Sequence, residues 1–126
     1  MLLLTKPQRA QLLKNGAVNN AARGKDGRTV DHAPVVKFFT PWGGATWLLS
    51  EITEEGDSDA GAGDSIMFGL CDLGLGEPEL GYVSLRELEG IRGPFGLRVE
   101  RDRWFTANKT LGEYAADARE KGRIAA

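Results

Sequence analysis

The alternation of side chains in the middle of the chain predicts a central strand. Ile66, Phe68 and Leu70 recur with a period of two, the spacing at which side chains share one face of a β-strand. A glycine-rich break at residues 73–78 follows, and a second extended run resumes at Tyr82. We therefore expect two strands joined by a turn in this stretch.

A short helix is predicted directly after the second of these strands. Ser84 and Glu87 have the spacing of a capping box, in which each side chain bonds the backbone amide of the other residue. Gly90 is expected to end this helix after about two turns, because glycine tolerates the backbone angles that terminate helices. Leu97 and Val99 then alternate with charged residues, which predicts a further strand with one solvated face.

An amphipathic helix is predicted near the N-terminus. Thr5 and Gln8 form a second capping box, and the leucines that follow make a modest apolar stripe. Gly16 is the expected end of this helix, with continuation to Ala22 as the alternative. The helix is expected to dock over one edge of the sheet.

Two further elements complete the predicted set. Residues 35–39 and 45–52 are rich in β-branched and aromatic side chains, and a proline–glycine turn between them predicts a hairpin. A third capping box, Thr110 with Glu113, begins a terminal helix expected over residues 111–121.

Together these elements predict an α+β fold. We expect a single antiparallel sheet of four to six strands, a short internal helix, and flanking N- and C-terminal helices. The 126 residues fit one domain that spans the whole chain. Residues 19–32 and 54–64 are polar or glycine-rich and are expected to be mobile loops.

The acidic loop at residues 54–64 invites a calcium interpretation that its spacing does not support. In a twelve-residue calcium loop beginning at Asp57, the bidentate acid would fall at Phe68 and the required glycine at Ala62. A flexible hairpin connection is therefore expected, and no metal site is predicted.

Composition places the chain among folded soluble proteins. Apolar residues make up 41% of the sequence and charged residues 27%. The net charge of −2 argues against non-specific binding to duplex DNA, which needs a strong positive field. The single Cys71 excludes an internal disulfide, and neither a signal peptide nor an apolar run of membrane-spanning length is present. We expect a cytoplasmic protein without a membrane partner.

The residues that usually carry catalysis are sparse. His32 is the only histidine and Cys71 the only cysteine, which leaves a poor basis for a thiol–imidazole metal site or a nucleophile–base pair. The glycines do not match a phosphate-binding loop. We predict no catalytic residue, no metal and no cofactor, and we expect that the protein is not an enzyme.

Two tryptophans are candidate binding residues. Trp42 lies in a predicted turn beside two glycines, and Trp47 lies just beyond that turn. An exposed indole provides a platform for a nucleic-acid base or for a partner side chain. The alternative is that Trp42 folds back on the sheet as a lid of the core, because tryptophan is usually well buried.

Three arginines form the second candidate set. Arg101 and Arg103 would share one face of an extended strand, with Arg98 on the other face. Guanidinium groups bind phosphates well. The alternative is that Glu100 and Asp102, which lie among them in the sequence, neutralise them in salt bridges.

Several short motifs occur in an order that resembles one bacterial family. The turn Arg92–Gly96 and the turn Phe39–Pro41 carry most of the resemblance. The family is called domain of unknown function 2958, and the resemblance covers roughly Leu3 to Leu111. It implies a small protein carried on plasmids and integrative elements, with a link to DNA transfer or to evasion of host defence. The family supplies no catalytic residues.

These observations lead to three hypotheses of function. The first is an accessory or interaction protein of a mobile genetic element that acts by binding a protein partner. The second is a single-stranded nucleic-acid binder that uses Trp42 or Trp47 with Arg101 and Arg103. The third is an enzyme whose site the sequence does not show. The oligomeric state is not predicted.

Overall fold

The computed structural model describes residues 3–56 and 63–126. Within these ranges the chain forms one antiparallel sheet of five strands in the order β4-β3-β2-β1-β5, together with three α-helices and a 3₁₀ turn at Pro94–Gly96. The α+β prediction is therefore confirmed. The elements in chain order are α1 (Lys6–Arg23), β1 (Val36–Phe39), β2 (Thr46–Gly56), β3 (Asp64–Asp72), β4 (Glu79–Ser84), α2 (Leu85–Gly90), β5 (Glu100–Arg101) and α3 (Leu111–Lys121).

The sheet is covered on both faces, because its strands alternate side chains between two apolar clusters. One face lies under α1 and α2 and packs Leu3, Leu4, Leu12, Val36, Phe38, Trp47, Leu49, Ile52, Met67, Leu85, Leu88 and Val99. The other face lies under α3 and packs Leu48, Leu70, Leu111, Tyr114, Ala115, Ala118 and Ile124. No helix among residues 3–56 and 63–126 is both long enough and apolar enough to cross a membrane.

The N-terminal helix does not end at Gly16. The Thr5–Gln8 capping box is formed as predicted, but α1 continues to Arg23, so the first five residues of the predicted 19–32 loop are helical. Gly16 is instead the point where α1 meets the sheet, since a Cβ at this position would overlap the carbonyl oxygen of Ile52. The glycine is thus explained by close helix–strand packing.

Along part of β2, asparagine side chains of α1 bond the backbone where a neighbouring strand would otherwise pair. The strand β1 pairs with β2 only as far as Leu49, and beyond that residue β2 has β3 on one side alone. Asn15 Nδ2 donates to the Ser50 carbonyl oxygen at 2.9 Å, and Asn20 Nδ2 donates to the Thr53 carbonyl oxygen at 3.1 Å. The register between β2 and β3 shifts around both carbonyls. Side-chain amides therefore satisfy backbone groups that an irregular strand leaves unpaired.

A buried carboxylate fixes the start of α2. Ser84 Oγ accepts from the Glu87 amide at 3.1 Å, which is one half of the predicted capping box, and donates to Asp64 Oδ2 at 2.6 Å. Asp64 Oδ1 also accepts from the Arg86 amide at 3.0 Å and the Ser65 amide at 2.7 Å. Burial raises the pKa of Asp64, but the hydrogen bond from Ser84 and those from the two amides lower it further, so the net pKa is lowered.

The predicted strand around Leu97 and Val99 is shorter than expected. Arg92 and Arg98 form an isolated antiparallel bridge, Val99 enters the core, and only Glu100–Arg101 joins the sheet as β5. The chain must cross one face of the sheet from β4 to the opposite edge, which limits the length available for pairing. The centre of the predicted acidic hairpin loop, residues 57–62, lies outside the described residues.

Candidate functional site

The two predicted tryptophans have different positions. Trp47 is only 4% exposed and belongs to the core cluster under α1, so its ring serves packing and is closed to a ligand in the folded protein. Trp42 is half-buried in the turn between β1 and β2. Its ring lies so close to Gly93 that a Cβ there would overlap it. Trp42 therefore folds back onto the Arg92–Arg98 hairpin, while its side chain stays partly exposed.

The three predicted arginines do not form one cluster on a strand. Arg98 is exposed and donates to the Glu89 carbonyl oxygen at 3.2 Å. Arg101 is half-buried and donates to the carbonyl oxygen of Leu3, which fastens β5 to the N-terminal segment. Arg103 is exposed in the turn after β5. The expected partner Asp102 instead pairs with Lys37 at 3.5 Å.

Sequence reasoning missed the most exposed tryptophan. Trp104 is 91% exposed and follows Arg103 in a turn that is held by the Asp102 carboxylate, which accepts from the Trp104 amide at 2.9 Å. The Asp-x-Trp spacing at this turn was the available signal, because aspartate commonly accepts from the amide two residues on.

Three turns meet at one end of the sheet and position the strongest candidate surface. The β1–β2 turn and the β3–β4 turn lie at the same end, since Thr46 pairs with Asp72, and they touch at Gly44 and Gly74. The β1–β2 turn also touches the Arg92–Arg98 hairpin through the contact of Trp42 with Gly93 described above. We call the surface formed by residues 40–45, 73–78 and 92–98 the three-turn surface.

Large apolar side chains project from the outer two of these turns. Leu73 is 62% exposed and Leu75 is 80% exposed in the β3–β4 turn, and Phe95 is fully exposed in the hairpin. Single exposed apolar residues are ordinary, but these lie on two turns that both touch the β1–β2 turn, which makes this end of the sheet a candidate interaction surface.

Phe95 also has an unfavourable backbone. Its φ is 58° and its ψ is 24°, and it is the only non-glycine residue with positive φ among those that the structure describes. A bulky residue in this conformation costs about 1–2 kcal/mol, which glycine would avoid. Because the side chain buries nothing in the fold, the strain is not offset by packing of Phe95.

Charges border the apolar side chains on both sides. Arg92 and Arg98 stand at the base of the Phe95 hairpin, and both guanidinium groups donate to the Glu89 carbonyl oxygen. Glu77 and Glu79 are exposed next to the β3–β4 turn. The three-turn surface therefore has a basic side near Phe95 and an acidic side near Leu75.

Cys71 and Glu51 are two potentially reactive side chains that are at least partly buried in the fold. Burial raises the pKa of the Cys71 thiol to about 11, which makes it a poor nucleophile. Glu51 is buried, but its Oε2 accepts from Asn19 Nδ2 at 2.8 Å and its Oε1 lies 3.7 Å from an Arg23 nitrogen. Residues 3–56 and 63–126 contain no group of three or more His, Cys, Asp or Glu side chains placed to hold a metal ion.

The fold and this surface define a sheet-centred α+β domain that presents a strained, apolar turn at one end. The chain belongs to the family described as protein of unknown function (DUF2958), which matches residues 3–125. The match includes α3, so it extends beyond the Leu111 limit of the resemblance recognised in the sequence. Neither a curated protein nor a solved structure matches the chain.

Proposed function

We propose that this protein is a small cytoplasmic accessory protein of a bacterial mobile genetic element, and that it acts by binding a partner protein rather than by catalysis. The mobile-element context rests on the family resemblance. The binding role rests on the three-turn surface, and above all on Phe95.

The argument from Phe95 is energetic. A residue that strains the backbone without burying its side chain lowers the stability of the folded chain, and such strain is typically held where it serves function. The tight, hydrogen-bonded turn fixes the backbone that carries the ring before binding. Entry of the ring into a pocket on a partner therefore costs the rotamer freedom of one side chain but little backbone entropy, which favours affinity.

The surroundings of Phe95 define the chemistry of the partner. An apolar pocket would receive the ring, and a carboxylate beside that pocket would meet Arg92 or Arg98. Leu75 would add apolar contact from the neighbouring turn. A protein with an apolar cavity that carries acidic residues on the side facing Arg92 and Arg98 fits this surface.

Affinity capture from host extracts tests the proposal when it is done with matched variants. Leu75→Lys should remove the captured partner without affecting the fold, because Leu75 is 80% exposed. Val30→Lys is the control, since Val30 is 49% exposed in the chain between α1 and β1 and lies outside the three-turn surface. A protein retained by the wild type and the Val30 variant but lost with the Leu75 variant supports the proposal. Equal capture by all three proteins contradicts it.

Single-stranded nucleic-acid binding is a second candidate, favoured by one observation. Trp104 offers an open ring beside the exposed Arg103, which is the pairing of stacking and positive charge that such binders use. Glu100 and Asp102 border the same turn and oppose phosphate binding. Titration with oligonucleotides, followed by tryptophan fluorescence at low and high salt, tests it with Trp104→Ala as the comparison. Binding that is absent, or indifferent to salt, removes this candidate.

A further inference from the structure

In the part of the chain that the structure describes, one edge of the sheet is open along its whole length. Within the described residues β4 pairs only with β3, through six consecutive residue pairs from Glu79 with Cys71 to Ser84 with Ile66. The register contains no shift, so the strand is regular. Every second residue of such an edge directs its N–H and C=O groups outward, where another strand can bond them.

The strand β4 lacks the features that usually prevent an edge strand from pairing with another chain. Its sequence Glu79–Ser84 contains no lysine and no proline, and its only charge is Glu79 at the first position. The opposite edge differs, because β5 is only two residues long and is therefore protected by its shortness. Of the two edges, β4 is the one suited to pairing with another chain.

A groove runs along this open edge. It has a volume of about 430 Å³ and is lined by Ile66, Tyr82, Val83, Ser84, Glu87, Leu88 and Ile91. Tyr82 and Val83 point to opposite faces of β4, so the groove follows the edge of the strand rather than one face of the sheet. Tyr82 is 60% exposed and stacks on Phe68 with a centroid distance of 5.1 Å, which holds its ring beside the groove.

We propose that a second copy of this chain occupies the edge, with the two β4 strands paired antiparallel about a two-fold axis. Such pairing would join two five-stranded sheets into one continuous sheet. The interface is isologous, and with the axis at Gly81 each Tyr82 would lie beside Leu80 of the other copy.

The charges of β4 favour this occupant. With the axis at Gly81, antiparallel pairing places the two Glu79 carboxylates on opposite sides of the axis, roughly 14 Å apart at 3.4 Å per residue, where salt screens their repulsion. Parallel pairing would set the two carboxylates side by side and is disfavoured.

Sedimentation velocity over micromolar to sub-millimolar concentrations tests the proposal. The wild type should form dimers, and Tyr82→Lys should raise the dimer dissociation constant about tenfold or more, since the two lysines would then lie diagonally across the axis on one face of the joined sheet. Leu75→Lys is the matched control and should dimerise like the wild type. A monomer at all concentrations, or equal association of both lysine variants, overturns the proposal. The edge would then be available for pairing with a strand of another protein.

Cysteine cross-linking provides a second measurement that does not depend on Tyr82. A Cβ at Gly81 meets no atom within 4 Å, so Gly81→Cys places a thiol near the proposed axis without crowding. Gly90→Cys is equally uncrowded and lies at the end of α2, away from the axis. Mild oxidation should give a disulfide-linked dimer with Gly81→Cys only. Equal cross-linking of both variants, or of neither, contradicts the proposal.

This inference does not rest on the proposed function, and the variants separate the two. Tyr82→Lys should retain the captured partner and lose the dimer, while Leu75→Lys should lose the partner and retain the dimer. Circular dichroism of each variant checks that both are folded.

Discussion

Substituting Gly16 by alanine perturbs the closest contact between α1 and the sheet. A Cβ at this position overlaps the carbonyl oxygen and carbon of Ile52, which are backbone atoms of β2 and cannot rotate away. Relief requires α1 to withdraw by more than about 1 Å, because carbon atoms need about 3.5 Å for an ordinary contact. The hydrogen bonds of Asn15 and Asn20 to β2 lie on either side of this contact and would lengthen together.

The expected change in the free energy of unfolding combines two destabilising terms and one stabilising term. Overpacking costs about 1–3 kcal/mol. Loss of the two asparagine hydrogen bonds costs about 1 kcal/mol each. Alanine returns about 1 kcal/mol through its greater helix propensity. We therefore expect Gly16→Ala to lower the free energy of unfolding by about 2–4 kcal/mol.

Urea unfolding followed by circular dichroism measures this change. With a slope of about 2 kcal/mol per molar urea, the midpoint should fall by about 1–2 M. Gly24→Ala is the matched control, because Gly24 has φ of −76° and the nearest atom to its Cβ would be 3.6 Å away. The control should unfold within about 0.5 kcal/mol of the wild type. A Gly16→Ala protein as stable as the wild type would refute the close-packing explanation.

Two further predictions concern titratable groups. The lowered pKa of Asp64 stabilises the folded state above the ordinary carboxyl value of 3.8, and this contribution is lost as pH falls through the lowered folded pKa. Asp64→Asn should therefore cost about 1–2 kcal/mol at neutral pH and less at about pH 3, measured by urea unfolding at both values; an equal cost at both would contradict the assignment. Because the pKa of Cys71 is about 11, iodoacetamide at pH about 8 should modify the folded protein roughly 200-fold more slowly than a free thiol, as followed by mass spectrometry. A rate within tenfold of that of glutathione would show that Cys71 is accessible.

The sequence predicted those elements whose signals are local. The capping boxes at Thr5 and Thr110 are formed, and Ser84 caps a helix that ends where Gly90 predicted. These motifs specify structure through residues three apart, so they are visible without the rest of the fold. Gly16 was interpreted wrongly because its reason is a contact with Ile52, which is distant in the chain.

The candidate site was harder to predict, because exposure depends on tertiary packing. Trp47 and Trp104 look equally available in the sequence, yet one is in the core and the other projects into solvent. The turn that contains Phe95 was recognised as a motif, but its positive φ belongs to the hairpin that the Arg92–Arg98 bridge closes. The hydrophobic periodicity of the sequence gives no sign of these features.

The central claim is that Phe95 serves binding at the expense of stability, and Phe95→Gly tests it most directly. Glycine relieves about 1–2 kcal/mol of backbone strain and loses no buried surface, while its greater unfolded-state entropy offsets about 0.4–1 kcal/mol of that gain. We predict that the variant is as stable as the wild type or up to about 1.6 kcal/mol more stable in urea unfolding.

The same variant should bind the captured partner at least tenfold more weakly, since removal of a central aromatic anchor typically costs about 2 kcal/mol or more. Isothermal titration with the purified partner measures this difference. Unchanged affinity, or a loss of stability greater than about 1 kcal/mol, would contradict the account, because Phe95 would then be neutral for binding or required for the fold.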